Sequence, residues 1–128
     1  MYKPKSAIVL VVEDNPVLLL NSVDLIVDAG FDVLEARNAD EAIEILERHD
    51  DIAIVFTDIE MPGSMDGLRL AQAIRDRWPP VHLVIASGRH TPEPEEMPDG
   101  SRFFAKPFNG SELVATLRRM AEAPRLAG

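Results

Sequence analysis

Three short runs constrain the fold more than anything else in the chain: AIVLVV at 7–12, IAIVFT at 52–57 and VHLVIAS at 81–87. They are almost continuously apolar and rich in β-branched residues. A strand with one wet face alternates apolar and polar residues; these do not. Such runs suit the centre of a parallel sheet covered by helices on both faces. FDVLEA at 31–36 and RFFAK at 102–106 are less uniform and read as strands nearer an edge.

Helical patterns separate the runs. Asn15 followed by Pro16 is an N-cap with proline at the first helical position. Leu19, Leu20, Val23, Ile26 and Val27 follow at spacings of three and four, and Gly30 supplies a stop. Asn38 with Glu41 resembles a capping box ahead of Ala42, Ile43 and Leu46. Asp66 caps a third helix whose stripe is Leu70, Ala71, Ile74 and Trp78, ended by Pro79-Pro80. Asn109 with Glu112 caps the last, with Leu113, Val114, Leu117, Met120 and Ala121 inward.

The connection at 88–100, GRHTPEPEEMPDG, is different. Thr91 caps a helix starting at Pro92, Pro94 is tolerated in its first turn, and Pro98 stops it, so one or two turns are expected. The order is β-α five times with one weak helix. That predicts an α/β fold with right-handed crossovers and a helix-covered parallel sheet. Residues 1–6 and 123–128 are expected to be loosely held.

Composition narrows the chemistry. A length of 128 residues fits one domain. Acids outnumber bases 22 to 13, giving −9, which argues against nucleic acid and anionic membrane as direct partners. With no cysteine, disulfides, zinc–thiolate sites and thiol catalysis are excluded. The first apolar run is too short for a signal peptide and ends on two acids, and no stretch approaches the ~18 residues of a membrane span. A cytoplasmic location is expected.

Ligands of an open α/β sheet bind beyond the carboxyl ends of its strands. Glu13 and Asp14 follow the first strand, Asp58 the third, Ser87 the fourth and Lys106 the fifth. Three clustered carboxylates repel by about 1 kcal/mol per pair at ~4 Å in water, and by about 4 at an effective dielectric near 20. A divalent cation relieves this. Oxygen ligands alone suit Mg²⁺, which pairs a few carboxylates with a phosphate. Lys106 and Ser87 would then hold phosphoryl oxygens, and Asp58 is the candidate nucleophile for an aspartyl-phosphate.

These residues resemble the receiver domains of two-component response regulators. The resemblance covers about 7–121. It rests on Glu13-Asp14, on Asp58 followed by Met61-Pro62, on Asp66-Gly67, on Ser87, and on Lys106-Pro107-Phe108, in order and each at its strand end. It implies a flavodoxin-like, doubly wound five-stranded sheet in the order 2-1-3-4-5. It implies Asp58 as phosphoacceptor from a sensor histidine kinase or phosphotransfer protein, with Lys106 holding the phosphate and the Lys106–Pro107 peptide cis. For Mg²⁺ it implies Asp14 and Asp58 as ligands, Glu13 through water and Glu60 through its backbone carbonyl. Ser87 and Phe103 match the hydroxyl and aromatic switch pair.

Some features depart from that pattern. The loop after Asp58 carries Gly63 and Ser64 where many receivers have one residue. The proline-rich 88–100 segment disfavours the family's usual dimer surface, so a monomer or weak homodimer is expected. The sequence stops soon after the last helix, which suggests a receiver without an output domain or one cut from a longer protein, acting on a protein target. Glu60 and Arg89, two positions beyond Asp58 and Ser87, are candidates for an ion pair that tunes loss of the phosphoryl group.

Other residues have plainer readings. His49, His82 and His90 lack metal spacing and are structural or surface residues. Met61 and Met65 pack, and Trp78 is core or rim. Two other functions compete. A Mg²⁺-dependent phosphohydrolase would use Asp58 as nucleophile, but usually has a second aspartate where Glu60 stands. A flavodoxin-like cofactor binder would need a phosphate loop where the acids lie.

Overall fold

In the computed structural model, which describes residues 7–122, the three apolar runs lie side by side. The strands are β1 (Ile8–Val12), β2 (Asp32–Ala36), β3 (Ile52–Asp58), β4 (His82–Ser87) and β5 (Arg102–Ala105). All pairs are parallel and the order is β2-β1-β3-β4-β5, as expected. The helices are α1 (Pro16–Asp28), α2 (Ala39–Arg48), α3 (Gly67–Arg77) and α4 (Gly110–Glu122).

Alternation along each strand divides the core. Leu10, Val12, Val55, Leu83 and Ile85 pack with α2 and α3 on one face. Val9, Val11, Ile54, Phe56 and Val84 pack with α1 and α4 on the other. Each fully buried aliphatic side chain contributes about 1.5–3 kcal/mol, so the sheet is anchored by its three central strands. Among the described residues, no helix is long and apolar enough to cross a membrane. Residues 1–6 and 123–128 lie outside the described residues.

The caps form as the sequence predicts. Asn15 Oδ1 accepts the N–H groups of Val17 and Leu18, Asn38 Oδ1 that of Glu41, Asp66 Oδ1 that of Arg69, and Asn109 Oδ1 that of Glu112. Gly30 follows the C-cap Ala29 with φ +100°, a backbone shape glycine adopts without penalty.

Three expected core positions are not core. Leu20 is 59% and Val27 49% exposed. Each sits one residue, about 100° of helix rotation, past the inward Leu19 and Ile26. Ala121 is likewise exposed, and Thr116 is buried on α4 instead.

The 88–100 segment forms a single 3₁₀ turn, Pro94–Glu96. Its cap is Glu93, not Thr91. Proline disfavours the helical conformation in the residue before it. Glu93, before Pro94, is extended at ψ 151°, and Met97, before Pro98, at ψ 144°, so a helix from Pro92 cannot pass either point. Arg75 on α3 ties the end of the segment to the turn before β4, donating to the carbonyl of Asp99 (2.9 Å) as well as to those of Pro79 (2.9 Å) and Val81 (3.3 Å).

Candidate phosphoryl and metal site

Strand register assembles the site. Val12 is level with Thr57, and Asp58 with Ala86, while Ser87 is level with Ala105. Glu13, Asp58, Ser87 and Lys106 therefore leave their strands at one edge of the sheet. Backbone hydrogen bonds extend the ladder past the strand ends: Glu13 N–H to Ala36 O (3.0 Å), Ile59 N–H to Ala86 O (2.9 Å) and Lys106 N–H to Ser87 O (2.9 Å).

Glu13, Asp14 and Asp58 each present a carboxylate oxygen within 4.8 Å of the others. Glu13 and Asp58 are buried and Asp14 is exposed. Glu13 is held from both sides: Oε2 accepts the Asn15 N–H at 3.1 Å and Oε1 accepts from Lys106 Nζ at 2.9 Å. Lys106 Nζ is also 3.2 Å from Asp58 Oδ1. That ammonium is the charged partner of Asp58 Oδ1, a buried oxygen for which no further hydrogen-bond donor is found among the described residues. A polar atom in that position favours a cation or a bond partner.

The electrostatics agree with this picture. Burial, then the negative charge of Glu13, pushes the Asp58 carboxyl up to about 6 despite Lys106. Burial alone would lower the Lys106 ammonium, but Glu13 and Asp58 outweigh it and the net shift is upward. Three acids and one lysine thus leave surplus negative charge, and the oxygen-only donor set fits Mg²⁺.

The loop after Asp58 is shaped by Gly67. A Cβ there would stand 1.9 Å from the Asp58 carbonyl oxygen, and the Gly67 N–H bonds Ile59 O at 2.9 Å. Of the two residues that lengthen the loop, Gly63 has φ +111° and Ser64 Oγ donates to Asp40 Oδ1 at 2.7 Å, tying the loop to α2. Met61 and Met65 pack against the core beneath, as expected.

Ser87 is buried at the end of β4. Its Oγ lies 2.5 Å from Glu60 Oε2, and Glu60 Oε1 accepts the Gly88 N–H at 3.3 Å. In this arrangement the Glu60 carboxylate is engaged by donors at Ser87 and Gly88. Both Glu60 and Arg89 still line the open groove, about 730 Å³, that contains Asp14, Asp58 and Lys106. Phe103 is half-buried toward the α2/α3 face and Phe104 toward the other, where it meets Phe108 edge-on. The Lys106–Pro107 peptide is cis, as expected. His82 is buried in β4, and His49 and His90 are exposed.

Two relations escape sequence reading: Gly67 as a close-approach residue, and the Glu60–Ser87 bond. The first had a signal in Asp66-Gly67, since glycine is a residue that serves where backbone segments approach closely. The second joins residues 27 apart and depends on strand register.

The sequence pattern of the response regulator receiver domain matches residues 9–118. The chain is 33% identical over 122 residues to a putative NtrX-like response regulator of Rickettsia bellii, covering 92% of this chain and 25% of that protein. It is 32% identical over 121 residues to the sensor kinase CckA of Brucella abortus, covering 91% of this chain and 13% of that protein. The chain thus spans a quarter or less of these two curated relatives. A crystal structure of a response regulator receiver protein from Sinorhizobium medicae superposes with TM-score 0.86 at 28% identity, covering 93% of this chain and 97% of that one.

Proposed function

The chain belongs to the response regulator receiver family of two-component signalling, and on that premise we propose that Asp58 accepts a phosphoryl group and that the fold relays its presence to a protein partner. The observation that carries the proposal is Asp58 Oδ1: buried, 3.2 Å from the Lys106 ammonium, with no further donor among the described residues, and clustered with Glu13 and Asp14.

Asp58 attacks phosphorus as the carboxylate. A new O–P bond forms as the donor's bond to phosphorus breaks, and the donor group leaves. Lys106 holds phosphoryl oxygens and keeps Asp58 ionised against its burial. Asp14 and Asp58 would hold Mg²⁺ directly, Glu13 through water, and Glu60 through its carbonyl. Bound there, the ion offsets the carboxylate charge and neutralises phosphoryl oxygens. The Ser87 hydroxyl reaches for the phosphoryl group, and Phe103 changes its packing in response.

The donor is a sensor histidine kinase or phosphotransfer protein. The direct target of this domain is a protein, since a net charge of −9 disfavours its own contact with a phosphate backbone. Action in the cytoplasm follows from that donor. Receiver domains are signalling domains and not conventional enzymes; the chemistry here is limited to the chain's own phosphorylation and dephosphorylation. Glu60 and Arg89, which line the groove, set how fast water removes the group. Replacing both with alanine should change the phosphoryl lifetime; an unchanged lifetime contradicts that role.

Incubation with Mg²⁺ and acetyl phosphate, followed by intact mass, tests the proposal. A gain of one phosphoryl group is expected, lost when Mg²⁺ is chelated. Continuous release of phosphate from varied small phosphate esters would favour a phosphohydrolase instead.

A further inference from the structure

The Ser87 hydroxyl is fully engaged. Its Oγ accepts the N–H groups of Arg89 (3.2 Å) and His90 (2.9 Å), and its one proton is donated to Glu60 Oε2 at 2.5 Å. The other oxygen of the same carboxylate takes the Gly88 N–H at 3.3 Å. Glu60 and Gly88 line the groove that contains Asp58.

We infer that Glu60 is a built-in mimic of the phosphoryl group: its carboxylate occupies the Ser87 hydroxyl and the Gly88 amide in the resting protein, and a phosphoryl group on Asp58 gains them only by displacing it. The inference rests on Asp58 being the phosphoacceptor. A hydroxyl and an amide each carry one proton. Two anions cannot both hold them, and they repel each other at this range. Lys106 differs, because an ammonium has three donors and can serve Glu13, Asp58 and a phosphoryl oxygen together.

Two consequences follow. Glu60 biases the resting molecule against the active arrangement, so a weak or brief phosphoryl input is filtered out. Its release also reaches beyond the site. The same Ser87 oxygen fixes the amides of Arg89 and His90, the first residues of the proline-rich segment that replaces a helix. When Ser87 exchanges Glu60 for the phosphoryl group, that segment receives the change directly.

The test is the affinity of the full chain for beryllofluoride, a phosphoryl mimic, measured by titration calorimetry in saturating Mg²⁺. Glu60→Ala should tighten binding by roughly tenfold, the scale of one charge-assisted hydrogen bond. Glu60→Gln, whose amide oxygen still accepts the Ser87 proton, should tighten it less. Plain charge repulsion would act equally with or without the hydroxyl. Competition for the hydroxyl instead requires that Glu60→Ala tighten binding by only about twofold in a Ser87→Ala background. An equal gain in both backgrounds, or no gain in either, overturns the inference and leaves Asp58 as acceptor. Failure of the unmodified chain to bind beryllofluoride, or binding that survives Asp58→Asn, overturns both.

Discussion

Gly67 packs against Asp58 so closely that a Cβ at position 67 would lie 1.9 Å from the Asp58 carbonyl oxygen. The obstacle is backbone on a central strand, which cannot swing aside. Gly67→Ala should therefore cost about 3 kcal/mol or more in denaturant unfolding, at the upper end of overpacking effects. Gly63→Ala is the control: it has open space around it but φ +111°, and should cost only about 1 kcal/mol. Equal effects at the two positions would show that Gly67 is not fixed by its contact with Asp58.

Lys106 joins Glu13 and Asp58 at 2.9 and 3.2 Å with all three side chains largely buried. Lys106→Ala leaves two acids without their cation, and a loss of about 2–4 kcal/mol is expected. Millimolar Mg²⁺ should restore part of it by binding only the folded site. Chemical denaturation with and without Mg²⁺ reads both effects; a variant as stable as the parent would remove Lys106 from the site's electrostatics.

The Asp58 carboxyl, raised to about 6 from an ordinary 3.8, gives stability a defined pH dependence. The folded state binds this proton more tightly than the unfolded chain. Its contribution is complete below about pH 4 and is lost as pH rises through about 6. At neutral pH the ionised group burdens the fold. Asp58→Asn should stabilise the protein by about 1–2 kcal/mol at pH 7–8, less than the full shift implies because the groove admits solvent. The gain should shrink toward nothing near pH 4. A constant difference across that range would contradict the raised pKa.

How much of this was legible in the sequence depends on the kind of residue. The uniformly apolar runs identified β1, β3 and β4, because strands buried on both faces leave no alternation. The acids, serine and lysine at the strand ends were legible because a parallel sheet brings those ends to one edge. The amphipathic helices were less legible. Leu20 and Val27 fit the apolar spacing of α1 yet lie exposed, since periodicity marks a stripe but not its width. The turn is capped at Glu93 and not at Thr91, because the restriction that Pro94 places on Glu93 decides where it starts, and that depends on two prolines together. The Glu60–Ser87 bond was beyond reach, because it depends on side-chain direction at two strand ends.

The proposed function requires that Asp58, and no other acid, receive the phosphoryl group. Borohydride reduces an acyl phosphate to the alcohol, converting a phosphorylated aspartate to homoserine at its own position. Treating the chain with Mg²⁺ and acetyl phosphate, trapping with borohydride and mapping peptides by mass should locate homoserine at position 58 alone. Homoserine at position 14 or 66, or none at any position, would rule out Asp58 as the acceptor.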